Sequence, residues 1–283
     1  MNVVGIGQAG CAIAEKFKQY PQYNIFKIDV EIEGKGCFKL EKRNNPEDYE
    51  KHCPNFKTFF KKIKGDVLFI TSCGFVSGIS LCALEQLHKK KCNINILYIK
   101  PDLLLLNETK RLQENVLFGV LQEYARSLLF NRIYVVHNVA LESILGGTSV
   151  LNYYENLNDL IVSTYHMISV FNNSEPVVDI RSEPNAVARI STIGLLDIKN
   201  GEEKLFFDLK HSRNKCYYYA IPQNTLETDE KLFKMIKEQV RHKGNTEDER
   251  FKLSYGIFST DYKENYAYVV VHSSVVQKNE IIA

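Results

Sequence analysis

The chain contains no run of eighteen or so apolar residues, so no helix long and apolar enough to cross a bilayer is expected. A secretory leader is not expected either, because the first buried strand begins at Asn2. There is no CxxC pair. The seven cysteines, spread from Cys11 to Cys216, offer neither a metal knuckle nor a disulfide ladder, and read as reduced, mostly buried thiols. An excess of one charge is also missing: 36 basic and 34 acidic residues leave a net +2, which argues against a dedicated nucleic-acid binder. Local clusters such as Lys61-Lys62-Ile63-Lys64 and Lys89-Lys90-Lys91 read as solvated helix ends. Long polar tracts, internal repeats and low-complexity segments are lacking as well. These absences leave a globular protein of a cytoplasm, either its own cell's or, for a viral product, a host's. At 283 residues and 45% hydrophobic, it can bury a full core and is long enough for two domains.

What the chain does have is a glycine turn at its start. In MNVVGIGQAGCAIAEKF, Asn2 to Ile6 reads as a short buried strand, Gly5, Gly7 and Gly10 space a tight turn, and Cys11 to Lys18 opens a helix. Glycine lets backbone approach a ligand with no Cβ in the way, and the first N–H groups of the helix point at an anion. A phosphate-binding turn is therefore expected. The same turn fits a dinucleotide fingerprint, with Asp29 of IFKIDVE standing where an acid would meet a ribose, so NAD is one reading.

After Asp29, a polar, basic stretch to Asn55, with Pro46 and Pro54, reads as connections around short helices. Asp66 to Thr71 reads as an inner parallel strand, followed by a small-residue turn and a helix from Leu81 to His88. Asn95 to Ile99 is a third strand, Glu108 to Phe130 a helix, and Arg132 to His137 a fourth strand, an alternation that predicts a doubly wound parallel sheet. Tyr153 to Phe171 repeats apolar residues at three and four and predicts one long helix. Beyond Pro184 the chain turns β-rich, with strands expected over Ala188 to Ile198, Lys204 to Leu209, Lys215 to Ile221, Phe251 to Ser259 and Tyr266 to His272. One helix, Asp229 to His242 capped by Thr228, interrupts them. The predicted organisation is a nucleotide-binding domain over 1–150, a connecting core helix over 151–173 and a C-terminal domain over 174–283.

Several segments, in order, resemble the tubulin/FtsZ superfamily. Gly7-Gln8-Ala9-Gly10 is a GQAG run like that of tubulins. FITSCGFVSGIS is similar to the second glycine signature of that superfamily, with Gly74, Ser77, Gly78 and Ser80 matching small residues and Phe75, Val76 and Ile79 departing from it. Lys100-Pro101, then Glu108 and Arg111, resemble the FtsZ segment TKPFxFEGxxR; VVHNVALESIL resembles a tubulin stretch whose asparagine falls on Asn138. Tyr154-Glu155-Asn156-Leu157-Asn158-Asp159-Leu160-Ile161 is similar to the tubulin YTNLNRLI. Tyr154 and Asn158, four apart, share one helical face, where a ring can stack on a purine and an amide can pair with its edge. The aspartate of the FtsZ sequence AND falls on Asp159.

The resemblance implies an α/β fold: a Rossmann-like parallel-sheet GTP-binding domain, a long core helix and a smaller β-rich α+β domain. It implies GTP or GDP with Mg2+, held by Gly7, Gln8, Ala9, Gly10, Cys11, Asp29, Gly74, Ser77, Gly78, Ile79, Glu108, Arg111, Asn138, Tyr154 and Asn158. It also implies head-to-tail filaments in which a neighbour's acidic loop completes hydrolysis. The corresponding loop is VVDIRSE, with Asp179 as first acid and Glu183 one position beyond the place of the second, which holds Ser182. Without a well-placed carboxylate, catalysis weakens by about a hundred- to ten-thousand-fold, so binding is expected with slow or lost turnover. The phage and plasmid branch, with a nucleic-acid cargo held through an adaptor, is the placement the resemblance suggests. The alternatives are an NAD-dependent oxidoreductase and a tubulin-like binding protein without turnover.

Overall fold

The computed structural model describes residues 1–244 and 252–279. Its contacts divide the chain into two compact units, Met1–Val162 with the segment from Val276 on, and Ser163–Val275.

In the first unit the order is β1 (Asn2–Ile6), α1 (Gly7–Lys16), β2 (Asn24–Asp29), β3 (Cys37–Lys39), α2 (Pro46–Lys51), β4 (Asp66–Ser72), α3 (Ile79–Lys89), β5 (Asn93–Lys100), α4 (Glu108–Arg126), β6 (Arg132–His137) and α5 (Asn138–Leu145). The strands lie β3-β2-β1-β4-β5-β6, every neighbouring pair parallel. Helices cover both faces of such a sheet, so its inner strands are apolar on both sides. Every residue of β1 is buried, as are Val67 to Thr71 of β4. Each such Val, Leu, Ile or Phe contributes about 1.5–3 kcal/mol through burial. Because sequence order reverses between β1 and β4, the carboxyl ends of these two strands border a crevice, the place where open α/β sheets bind ligands.

The helix α6 (Tyr153–Asn172) is continuous across the point where the contacts divide the chain. The second unit holds β7 (Val178–Asp179), β8 (Ile190–Leu196), β9 (Glu203–Leu205), β10 (Ser212–Pro222), α7 (Gln223–Thr228), α8 (Leu232–Gly244), β11 (Lys252–Thr260) and β12 (Tyr266–Ser273). Its strands run β8-β12-β10-β11-β7, with β9 beside β8. Among the described residues of this unit, β10 and β11 pair in parallel and the other pairs are antiparallel. Among the described residues no helix is long and apolar enough to cross a membrane.

The α/β class, the parallel strands and the long helix are as expected, but several details differ. Helix α1 starts at Gly7 rather than Cys11, because Gly7 itself makes the turn, with φ +70°. Helix α4 stops at Arg126, where Leu128 adopts φ +67° and the Leu129 N–H bonds back to Tyr124 O. The expected helix over 229–242 is α8, which starts three residues later at Leu232, and a separate short helix, α7, precedes it. Thr228 ends α7, and Asp229 caps α8 by accepting from the N–H groups of Lys231 and Leu232 at 3.0 and 3.1 Å. The expected strand over 204–209 shrinks to three residues, and Phe251, the expected start of β11, lies outside the described residues. Helix α5 and strand β3 are not among the expected elements.

One pair of cysteines stands out. Cys53 and Cys82 lie side by side, their Cα atoms 6.3 Å apart, a neighbourhood that sequence spacing gave no reason to suspect. Of the remaining five, Cys11 and Cys216 are buried and Cys37, Cys73 and Cys92 half-buried.

Candidate functional site

A cavity of about 590 Å³ opens at the carboxyl ends of β1 and β4. Its floor is the turn from Ile6 to Ala9; its opposite wall is the turn from Ser72 to Ser77; Asp29, Val30, Glu31 and Lys42 close a third side. Helix α1 begins in the floor with neither a side-chain cap nor an acidic residue in its first turn. Its first N–H groups and the positive end of its dipole therefore face the cavity unneutralised, the arrangement that receives an anion.

The glycines of the first turn have different tasks. Gly7 supplies the left-handed backbone that turns strand into helix. Gly10 is a packing residue: a Cβ there would lie 2.5 Å from the Ile70 carbonyl oxygen of β4, so the helix can sit against the sheet only without one. Cys11 points into the same interior. Its thiol contacts the carbonyls of Gly5 and Ile28 at 3.4 and 3.5 Å, and burial pushes it up to about 12.

The second turn places the three bulky residues that depart from the family pattern differently. Val76 and Ile79 bury their side chains in the core, Val76 lying over Gly7, while Phe75 leans edge-on against Tyr49, ring centroids 5.9 Å apart. Ile79 is thus accommodated by the protein behind the turn, while Phe75 and Val76 also line the cavity. Gly74 faces open space, and Ser77 lines the cavity. Gly78 does not line it. A Cβ on Gly78 would fall well inside contact distance of the Pro46 carbonyl oxygen, 2.9 Å from its carbon and 3.2 Å from Glu50 N, so this glycine exists to let α2 and α3 touch. A hydroxyl pair, Thr71 with Ser80 at 2.8 Å, ties the end of β4 to α3 beneath the turn.

Of the residues expected to hold a nucleotide, the cavity thus gathers Gly7, Gln8, Ala9, Asp29, Gly74 and Ser77. Gly10, Cys11, Gly78 and Ile79 support it from behind. Glu108, Arg111, Asn138, Tyr154 and Asn158 do not line it. Arg111 bonds the Leu103 carbonyl at 2.9 Å, and Glu108 is exposed in the first turn of α4. Tyr154 is exposed at the start of α6, its ring edge-on to Tyr153, and Asn158 is half-buried one turn later. Asp159 is engaged by Lys16 at 2.6 Å, which holds α6 beside the end of α1. Sequence reasoning missed Lys42 and Glu31. A lysine is the signal for phosphate, but Lys42 stands in a basic, irregular stretch where nothing sets it apart.

In the second unit, Asp179 does not present a free carboxylate. Its oxygens accept from Arg181 Nε and Nη2, both at 2.9 Å, and from Arg181 N at 3.0 Å. These bonds hold its pKa below the usual carboxylate range. Arg181 is itself fixed by a bond to the Phe171 carbonyl at 2.9 Å and by lying over the Phe258 ring. Glu183 is exposed.

No family model matches the sequence, and no curated protein matches it. Solved structures do. A GTPγS-form protofilament of TubZ from Bacillus thuringiensis serovar israelensis superposes with a TM-score of 0.71 at 16% identity, covering 98% of this chain and 88% of that one. The GDP-bound monomer of CetZ1 from Haloferax volcanii gives 0.70 at 16% identity, covering 97% and 94%. An empty FtsZ dimer from M. jannaschii gives 0.68 at 12%, covering 96% and 87%. The chain has the tubulin/FtsZ fold over nearly its whole length.

Proposed function

We propose that this chain, built on the tubulin/FtsZ fold, binds a guanine nucleotide with its phosphates in the cavity between the two turns, and polymerises head to tail. The observation that carries the reading is the convergence of an uncapped helix start, a second small-residue turn and Lys42 at the point where strand order reverses. A dehydrogenase needs one glycine-rich phosphate turn; this cavity adds a second turn, with Gly74 and Ser77 on its lining. The oxygens of Asp29, Glu31, Ser72 and Ser77 are the hard donors that suit Mg2+. Among the described residues no three or more His, Cys, Asp or Glu gather as a metal site, so the ion would be held largely through the phosphates and water. Bound there, it would neutralise phosphate charge. Tyr154 and Asn158 are proposed to meet the base.

Self-association is supported by apolar residues left in solvent on the segments that follow the carboxyl ends of β5 and β6. Leu105 is 82% and Leu151 95% exposed, with Leu104 and Val150 beside them. The start of α6 is tied to α5, since Tyr153 donates to Glu142 at 3.0 Å. These exposed apolar residues, consecutive in sequence within each segment, are proposed to form the contact surface. A polymer of this kind would carry the nucleic-acid cargo that the phage and plasmid resemblance suggests.

Turnover is proposed to be slow, because Asp179 is already satisfied by Arg181 and Ser182 offers no charge. The test is titration of a fluorescent guanine nucleotide against NADH, followed by sedimentation with GTP and with GDP. Saturable guanine-nucleotide binding and a GTP-dependent pellet are expected. Binding of NADH in preference, for which Asp29 at the end of β2 is the argument, would replace this reading with an oxidoreductase.

A further inference from the structure

A second and larger cleft, about 920 Å³, lies between the 50–60 segment, α3 and the end of α4. Cys53 and Cys82 both line it, half-buried and 29 residues apart in sequence. Their Cα separation of 6.3 Å is within the range a disulfide spans without backbone movement. Gln86, one turn beyond Cys82, orders the pair. Its Nε2 donates to both sulfurs, at 3.5 and 3.4 Å, and to Pro54 O at 2.9 Å, while its Oε1 accepts from Phe56 N at 2.8 Å. Lys57 and Lys90 share the cleft with Glu50, His88 and the Glu85–Lys89 pair, so thiolates forming there meet cations as well as acids.

Four of the five other thiols are poorer candidates. Burial pushes Cys11 up to about 12 and Cys73 up to about 11, and raises Cys92 and Cys216. The thiolate is the attacking species in exchange, so these four are disfavoured.

We propose that Cys53 and Cys82 form a thiol–disulfide exchange site whose substrates are the thiol and disulfide forms of a low-molecular-weight thiol, and that closing the bond fastens the 46–53 segment to α3. One cysteine thiolate attacks the small disulfide, forming a mixed disulfide and releasing one small thiolate. The second cysteine thiolate attacks the protein sulfur of that mixed disulfide, closing the Cys53–Cys82 bond and releasing the second small thiolate. Two electrons pass from the protein to the oxidant, and the cysteine protons leave to solvent or to the released thiols. Reduction is the reverse.

The bond has a mechanical consequence. The segment that ends at Cys53 begins at Pro46, whose carbonyl is pressed against Gly78 at the end of the second turn. Stapling its far end to α3 restrains the contact that shapes this turn.

The test uses the whole purified chain, equilibrated in reduced and oxidised glutathione at several ratios, alkylated, digested and mapped by mass spectrometry. A Cys53–Cys82 cross-linked peptide is expected under oxidising ratios, reversed by dithiothreitol, with the other cysteines alkylated. Alkylation of both at every ratio, a different pairing, or persistent glutathione adducts on the native chain would overturn the site. Cys53→Ser and Cys82→Ser should each leave the remaining thiol as a stable mixed disulfide with glutathione; absence of the adduct in both variants would also count against it. The melting midpoint should rise by about 5 °C or more on oxidation and not in Cys53→Ser. Hydrogen exchange over residues 74–80 should slow several-fold when the bond closes. Unchanged exchange there would refute the link to the second turn, and this readout holds whether or not a nucleotide binds.

Discussion

Gly74→Ala separates a glycine kept for a ligand from one kept for the fold. A Cβ built on Gly74 meets no atom within 4 Å, and its backbone is outside the left-handed region. The substitution should therefore leave folding stability within about 0.5 kcal/mol, or raise it by up to about 1 kcal/mol through a less flexible unfolded chain. If a phosphate lies against this turn, the same methyl group occupies its path. Losing one charge-assisted backbone hydrogen bond costs about 1.5–3 kcal/mol, which is roughly a ten- to hundredfold rise in Kd. Gly78→Ala is the contrast. Its Cβ would collide with the backbone of Pro46 and Glu50, neither of which can swing away like a flexible side chain. Separating α2 from α3 is an overpacking cost of about 1–3 kcal/mol, with weaker binding only as a by-product. Urea denaturation and polarisation of a labelled GTP analogue, run on both variants, give the two numbers. An unchanged Kd for Gly74→Ala would show that phosphates do not approach the second turn. A stability loss above about 1 kcal/mol in that variant would show that the space around Gly74 is not open.

Lys42→Ala should weaken nucleotide binding about three- to tenfold, with a shallower salt dependence than the parent, because an exposed cation acts through screened attraction; equal salt slopes would rule it out of the site. Leu151→Glu and Leu105→Glu should abolish the GTP-dependent pellet while leaving melting and nucleotide affinity unchanged, and a normal pellet in both would move the polymer contact elsewhere. Arg181→Ala should cost about 1 kcal/mol and free Asp179. The lowered pKa of Asp179 means its contribution to stability is present above the ordinary carboxylate value and is lost as pH falls below about 4. The variant's acid unfolding should lack that component, and identical acid profiles would contradict the pairing.

The sequence made the turns legible because their chemistry is local. Gly7 and Gly10 stand in the first turn of an amphipathic helix that follows directly on a buried strand, and that pattern has few other solutions. It did not distinguish what each glycine approaches. Gly78 lies against protein and Gly74 against open space, yet both are small residues in one turn. Lys42 escaped notice because its place in the cavity depends on how an irregular stretch folds back over β2, a long-range result with no periodic signature. Thr228 has the chemistry of a cap, but Asp229, one residue on, takes the role with a carboxylate that reaches two N–H groups. Asp179 kept its motif position but lost its freedom to Arg181, two residues away, a local pairing that the family pattern hides.

The segment after β12 returns to the first unit and pairs with α4. The buried Gln122 accepts from Gln277 N at 2.7 Å and donates to Gln277 O at 3.0 Å, so its amide stands in for a strand partner, and Glu114, also buried, accepts from Asn279 at 2.6 Å. A ribosome delivers α4 more than 150 residues before either of these partners. Until then two buried side chains lack these partners, although Gln122 Nε2 also donates to the Phe118 carbonyl of its own helix at 3.2 Å. That unit, although it is translated first, is finished last.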